Sequence, residues 1–375
     1  MTANGPCVVF AGGGSGGHIS PGLAVAEELQ ATNAAVLPRF ICSTRPIDSQ
    51  MLTQAGAAFD PLAAHPFSLR PRLLAQFLLG WRGSVKAASR ILETHAARAV
   101  VSLGGFVTPP VATAARRLRI PLLLLNLDAT PGKANRWVAR RAALVLSAVP
   151  TPGLPAFASR IVGMPIRRIA LAPASAAECR AELGLEPDRK TLLITGASQG
   201  SAGMNAAMAM FAQRNTRLLD EWQILHLCGQ RRPEDLSALA ESYRAAGVRA
   251  AVVPFMHRMG LAWGAADLAV SRAGANSVAE AAANLVPTLF IPYPFHKDLH
   301  QIRNVQPLLD AGAAAMVLED GDPEKTADAL GGSLLELVSK SLRRTAIRAS
   351  LERLPRPQAA AAVAAEVVRL TTRAR

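Results

Sequence analysis

A short apolar strand that runs straight into a glycine-rich turn and then a helix occurs twice in this chain, once early in each half. The first is Val8–His18 (VVFAGGGSGGH) and the second is Leu192–Asn205 (LLITGASQGSAGMN). Glycines at such a turn let backbone N–H groups approach an anion at the helix N-terminus, where orphan donors and the helix dipole favour negative charge. One such turn is weak support for any fold. Two of them predict a pair of doubly wound α/β domains facing a shared cleft, with a phosphate-bearing ligand in it.

At 375 residues the chain is long enough for two domains, and with 50% hydrophobic and 18% charged residues it is not disordered in bulk. The four cysteines, Cys7, Cys42, Cys179 and Cys228, never form CxxC. Their scatter predicts neither a zinc site nor a disulfide framework and fits a reducing cytoplasm. No basic leader precedes the first strand, and no apolar run reaches the eighteen or so residues of a membrane-spanning helix. The expected protein is soluble or bound to a membrane surface. Its net charge of +14, mostly arginine, would attract nucleic acid, anionic membrane or phosphorylated substrates, and it also fits a bias towards arginine codons. Aromatics are only 5%, and no RNP-like or finger-like motif accompanies the charge, so a nucleic-acid partner is not expected.

Short apolar segments alternate with helical ones as in βαβ units. Strands are predicted at Val8–Ala11, Arg39–Cys42, Ala99–Leu103, Leu122–Asn126 and Leu144–Ser147, then at Thr191–Thr195, Gln223–Leu227, Ala250–Pro254, Leu268–Ser271 and Thr288–Ile291. Pro150–Pro165 reads as the linker. The expected division is residues 1–162, residues 163–340, and closing helices in 341–375 that pack back towards the first domain.

Gly12, Gly14 and Gly17 spell G-x-G-x-x-G, so an NADP-dependent oxidoreductase is a rival reading. The second strand ends in Ser43-Thr44-Arg45 without the acid an NAD site wants, and no Lys-Ser/Thr completes a P-loop. His18 stands where the turn becomes a helix. Histidine titrates closest to neutrality, which suits a general base on a hydroxyl, although a polar helix start explains it as well. Ser198, in GASQG, offers a hydroxyl beside free amides for a diphosphate; a hydrolase elbow there needs an Asp and a His in order. Arg272–Glu280 (RAGANSVAE) follows a strand and leads into a helix, and Glu280, about one and a half turns into that helix, places a carboxylate for a ribose diol, or is a solvated helix glutamate. Pro292–Asn304 (PYPFHKDLHQIRN) is dense in neutral donors suited to sugar hydroxyls. His296 and His300 are four apart, with no glutamate between them to complete a metal site.

In order and spacing, GGGSGGH, GGF at Gly104–Phe106, GMPIR at Gly163–Arg167, GASQG, RAGANSVAE and HKDLHQIRN resemble the MurG family of peptidoglycan glycosyltransferases. The resemblance covers nearly the whole chain. It implies the GT-B architecture of two Rossmann-like domains and an inverting, metal-free and cofactor-free transfer. The donor is UDP-GlcNAc, and the acceptor is undecaprenyl-diphosphate-linked muramoyl pentapeptide. It further implies that Ser15, Gly16 and Gly17 touch the donor, that His18 is the base, and that Arg167 and Ser198 face the diphosphate. Ala275, Asn276, Ser277, Val278, Ala279 and Glu280 wrap the nucleotide, with Glu280 on the ribose. Gln301 reads the sugar hydroxyls and Met256 reads uracil through its backbone. Three departures fall on the acceptor half. Leu125-Asn126-Leu127-Asp128 stands in place of His-Glu-Gln-Asn, so Asp128 replaces an amide at the sugar. Phe106 lacks the usual aromatic hydroxyl, and Thr108-Pro109-Pro110 stiffens a loop. Another GT-B transferase with a different lipid or natural-product acceptor, or an inactive binding module, remains an alternative. Leu74, Phe77, Leu78, Trp81 and Val85 recur at helical spacing among Arg70, Arg72, Arg82, Lys86 and Arg90. That stripe is either a core-facing helix or an interfacial helix for an anionic membrane surface. A peripheral enzyme on the cytoplasmic face of the inner membrane is expected.

Overall fold

The computed structural model describes residues 5–14, 17–32, 35–151, 153–158, 160–196, 200–293, 299–356 and 358–373. The chain divides into two compact units, one formed by Met1–Arg167 with Pro357–Arg375 and the other by Arg168–Arg356.

In chain order the first unit runs β1 (Cys7–Gly12), α1 (Ile19–Ala31), β2 (Leu37–Ser43), α2 (Pro46–Gln54), β3 (Phe59–Leu62), α3 (Pro71–Thr94), β4 (Ala97–Gly104), α4 (Thr108–Arg117), β5 (Leu122–Asn126), α5 (Lys133–Ala139), β6 (Leu144–Ser147) and α6 (Pro155–Ala158). Its six strands are parallel in the order β3-β2-β1-β4-β5-β6. A parallel sheet is covered on both faces, which is why β1 and β5 read as unbroken apolar runs and are buried at every residue. Phe10 stacks on Phe40 across β1 and β2, with ring centroids 5.2 Å apart.

The second unit repeats the plan with α7 (Ala176–Glu182), β7 (Lys190–Thr195), α8 (Ala202–Arg214), β8 (Trp222–Leu227), α9 (Pro233–Ala245), β9 (Ala250–Val253), α10 (Met259–Ala265), β10 (Leu268–Ser271), α11 (Ala275–Ala283), β11 (Thr288–Phe290), α12 (His300–Asp310), β12 (Ala315–Met316), α13 (Pro323–Ser339) and α14 (Ser341–Arg353). Its parallel order is β12-β11-β10-β7-β8-β9. The last helix, α15 (Ala359–Arg373), packs on α1 and β4 of the first unit, and its buried Glu366 pairs with Arg160 at 2.6 Å. Of the two closing helices, α14 thus belongs with the second unit and α15 with the first.

Each sheet has six strands where the sequence predicts five. The additions are the edge strands β3 and β12. The segment read as a linker contains α6, and Ile161 bridges to Ser147 beside β6. Thr108-Pro109-Pro110, read as a stiffened loop, is the first turn of α4, where a proline costs no hydrogen bond. The four cysteines are buried thiols, and burial pushes Cys42 up to about 11.

Candidate functional site

In doubly wound sheets, ligands bind beyond the carboxyl ends of the strands where the strand order reverses. That point lies between β1 and β4 in the first unit and between β7 and β10 in the second. Each glycine-rich turn follows a strand at the reversal.

In the first unit the turn after β1 is held from two sides. Asp48, on α2 and fully buried, accepts from the Gly14 N–H at 2.7 Å, the Ser43 N–H at 3.3 Å and the Ser43 hydroxyl at 2.5 Å, all on Oδ2. A Cβ on Gly13 would stand 2.5 Å from that oxygen. Arg45 donates to the Gly14 carbonyl, with its guanidinium 5.3 Å from the centre of the Phe106 ring. The sequence shows no acid at the end of β2; the structure supplies one from the next helix, aimed at the loop backbone. On the other side Gly105, at φ +87°, lies so close to the Gly13 carbonyl that a Cβ has no room. Glycine there fixes the approach of the β1 and β4 turns.

His18 is the half-buried N-cap residue of α1, with no side-chain cap bond. The Cδ2–Nε2 edge of its ring faces the Cα of Gly104. Gly17 is exposed just before it. Asp128 follows β5, half-buried, and its carbonyl accepts from Asn126 Nδ2 at 2.8 Å. Arg167 donates through Nε to Glu27 at 2.8 Å. Glu27 lies nine residues along α1 from His18, about 13 Å of helix rise, so Arg167 is not brought to the histidine. Ser15, Gly16 and Ser198 lie outside the described residues, as do His296, Lys297 and Asp298.

In the second unit two helices start at the reversal, and neither has an acid in its first turn. Ser201 caps α8 by accepting from the Met204 N–H, while Gly274 leaves the α11 start without a side-chain cap. Gly200, at φ +67°, touches the Cys228 carbonyl at the end of β8 so closely that it too excludes a Cβ. Asn205 Nδ2 donates to that same carbonyl at 2.9 Å. Asn205 Oδ1 must therefore accept from His226 Nε2 (3.1 Å), which leaves His226 Nδ1 to accept from the Tyr243 hydroxyl (2.9 Å). His226 is a fully buried neutral imidazole, and burial holds its pKa down at about 3.

Buried Arg272 ties the strand ends together. It donates to the Ile291 and Pro292 carbonyls at 3.0 and 3.3 Å and to the Ser201 hydroxyl, and it pairs with Glu319 at 2.5 Å. Ala275 to Glu280 form the first turns of α11. Glu280, half-buried, accepts the Trp263 indole N–H at 3.0 Å, which fixes its carboxylate. The Ala281–Ala283 run does not seal this helix, because only Val278 and Ala281 are buried. Gln301, in the first turn of α12, accepts from the Tyr293 N–H at 2.8 Å. Met256 follows β9 and packs partly buried on the core. Sequence reasoning missed Asp48, Asn135, Asn205, His226 and Glu319, and it gave Arg272 no role. Only Arg272 carried a signal, as the first residue of a post-strand motif.

Residues 8–147 match the glycosyltransferase family 28 N-terminal domain, and residues 191–362 match the family 28 C-terminal domain. A relative from a Nocardioides species is 36% identical over 347 residues, 92% of each chain. It is named UDP-N-acetylglucosamine–N-acetylmuramyl-(pentapeptide) pyrophosphoryl-undecaprenol N-acetylglucosamine transferase. A relative of the same name from Mycolicibacterium vanbaalenii is 35% identical over 98% of this chain and 91% of its own. The crystal structure of Acinetobacter baumannii MurG superposes with a TM-score of 0.74 at 25% identity, covering 97% of this chain and 99% of that one. A calicheamicin glycosyltransferase, CalG4, shares the fold at 16% identity and a TM-score of 0.64, over 99% of each chain. These relatives account for both glycine turns, where an oxidoreductase accounts for one. The chain is a UDP-sugar-dependent glycosyltransferase with the GT-B fold, and it belongs to the MurG family.

Proposed function

We propose that this enzyme moves N-acetylglucosamine from UDP-N-acetylglucosamine to the 4-hydroxyl of a lipid-linked N-acetylmuramoyl pentapeptide, inverting the anomeric centre, in peptidoglycan synthesis. The observation that carries this is the strand reversal of the second unit. There two acid-free helix starts lie beside a carboxylate, Glu280, already fixed by an indole N–H. The α8 and α11 starts suit a diphosphate, and the fixed carboxylate suits a ribose diol.

Ser198 and the backbone of Ala275–Ala279 hold the nucleotide, Gln301 reads the sugar, Met256 presents its backbone to uracil, and Ser15, Gly16 and Gly17 touch the donor. UDP departs as an anion stabilised by helix dipoles that need no reorganisation. His18 takes the proton of the attacking hydroxyl as the new bond forms. Arg167 reaches the leaving diphosphate on release from Glu27.

The enzyme works at the cytoplasmic face of the inner membrane, bound to its surface. Among the described residues no helix is long and apolar enough to cross a membrane. Helix α3 divides along its length. Val85, Ala88 and Leu92 are buried, while Leu78 and Leu79 near its start are 61% and 84% exposed. Arg70, Arg72 and Arg82 are exposed around them. Beside these, an aromatic series runs from the exposed Phe67 through Phe77 and Trp81 to Trp137, with Arg141 3.6 Å over the last ring. Exposed leucines among guanidiniums suit an anionic bilayer surface.

The test is transfer of labelled N-acetylglucosamine to the lipid acceptor. His18→Ala should lower kcat about 10²–10⁴-fold with the Kd for the donor unchanged. Unaltered turnover removes His18 as the base, and the absence of transfer by the wild-type protein removes the proposal.

A further inference from the structure

A chain of hydrogen bonds beside His18 ends on an atom with no partner. The Val149 and Asp128 carbonyls can only accept. Ser147 Oγ therefore donates to Val149 O (2.7 Å), and Asn126 Nδ2 donates both to Ser147 Oγ (3.0 Å) and to Asp128 O (2.8 Å). Asn126 must then turn its Oδ1 towards Asn135, whose Nδ2 donates to it at 3.1 Å. This order fixes the orientation of both amides. The last acceptor, Asn135 Oδ1, has no hydrogen-bond partner among the described residues, although Asn135 is only 3% exposed.

That oxygen is aimed at the place a side chain on Gly104 would occupy. A Cβ there would stand 3.1 Å from Asn135 Oδ1 and 3.2 Å from His18 Nε2. Gly104 has none, so both atoms pack close against its Cα and the unsatisfied acceptor lies beside the base. A buried carbonyl without a donor is costly, and an ordered neutral chain that ends on one calls for a donor from a ligand.

We propose that Asn135 Oδ1 receives a hydroxyl of the acceptor sugar next to the one that attacks. This rests on the muramoyl acceptor proposed above. In that sugar C3 carries the lactyl ether, so the remaining free ring-substituent hydroxyl is the one at C6. Its O–H donates to Asn135 Oδ1 while the 4-hydroxyl donates to His18. Asn126 and Ser147 are positioning residues that keep the oxygen, and not the NH₂, of Asn135 turned to the sugar.

The test pairs variants with acceptors in steady-state transfer assays that use the full-length protein and a short-chain lipid-linked muramoyl pentapeptide or its 6-deoxy analogue. With the normal acceptor, Asn135→Ala should lower kcat/KM for the acceptor about tenfold. The KM for UDP-N-acetylglucosamine should not move. The wild-type enzyme should lose about the same factor on the 6-deoxy acceptor, and Asn135→Ala should lose nothing further on it. Asn126→Ala, which frees the Asn135 amide to turn over, should show the same insensitivity. The wild-type measurement on the 6-deoxy acceptor needs no variant to fold. Equal kcat/KM for the two acceptors with wild-type protein overturns this assignment while leaving the transferase reading intact. Additive losses in Asn135→Ala assign the residue a purely structural role and overturn it as well. A wild-type protein that transfers to neither acceptor refutes the functional reading itself.

Discussion

Replacing Asp48 tests how the first glycine turn is held. One buried carboxylate oxygen receives three donors there: the Gly14 N–H, the Ser43 N–H and the Ser43 hydroxyl. Asp48→Ala strands all three. Each unsatisfied buried donor costs about 1–3 kcal/mol, but water entering the vacated volume will satisfy some of them, and the desolvation cost of the carboxylate itself disappears. The net expectation is about 3 kcal/mol lost from the first unit. Asp48→Asn can keep all three donors on its amide oxygen but loses the charge and leaves its NH₂ at the Oδ1 position, which has no hydrogen-bond partner among the described residues, so about 1–2 kcal/mol should go. The protein has two units, and a single unfolding transition would mix them. Segment-resolved hydrogen exchange separates them: protection across β1 and β2 should fall about a hundredfold in Asp48→Ala, while β7 and β8 stay unchanged. If β1 and β2 keep wild-type protection, the carboxylate is not the clamp and the turn is held by its glycine contacts alone.

His226 makes the second unit acid-sensitive. Its folded pKa of about 3 lies below its ordinary 6.5, so the unfolded chain binds a proton that the folded chain refuses. Stability is full above pH 6.5 and declines as pH falls towards 3, by about 1.4 kcal/mol per unit. Between pH 7 and pH 5 the wild-type second unit should therefore lose about 2 kcal/mol more than His226→Gln, measured by the hydrogen-exchange protection of β7 and β8 at each pH; parallel losses would refute the assignment. For α3, the double variant Leu78→Glu/Leu79→Glu should bind anionic vesicles at least about tenfold more weakly in co-sedimentation, with transfer to a water-soluble acceptor retained. Unaltered sedimentation would place the membrane contact elsewhere.

The strands at both reversal points were legible because a parallel sheet demands continuous apolar runs. Leu122–Asn126, Leu144–Ser147 and Leu268–Ser271 were read with the observed bounds. The edge strand β3 was not, since Phe59-Asp60-Pro61-Leu62 contains a proline and an acid. Its acid is satisfied across the sheet by Arg39, at 2.5 Å, a partner that local sequence does not announce. The helix-start motifs were visible for the same reason as the strands: their chemistry is local. Asp48 and Asn135 were not visible, because each acts on a loop from a different element, and from sequence each is one more polar residue on a helix. The α3 stripe was half legible. Helical spacing marks apolar positions, but which of them face the core depends on where the neighbouring elements stop.

The two units share one topology, and charged side chains tie the turn at each reversal point. In the second unit the polar side chain that ties the strand ends is a buried ion pair, Arg272 with Glu319. Such a pair adds little net stability, since desolvating two charges offsets most of their attraction. Its value lies in geometry: the guanidinium holds two carbonyls beyond β11 and the Ser201 cap of α8, so the start of α8 is fixed against the neighbouring strand ends. In the first unit the turn after β1 is held by the Asp48 carboxylate and Arg45, while the set beyond β5 and β6, Ser147, Asn126 and Asn135, is neutral. The resemblance implies a glutamate where Asn126 stands. A carboxylate in that chain would raise the proton affinity of a base beside it and couple the two titrations. Amides fix the same atoms without adding a charge. One topology is thus locked in different places by charged and by neutral side chains: by Asp48 and Arg272 at the two reversal points, and by the amides of Asn126 and Asn135 beyond β5.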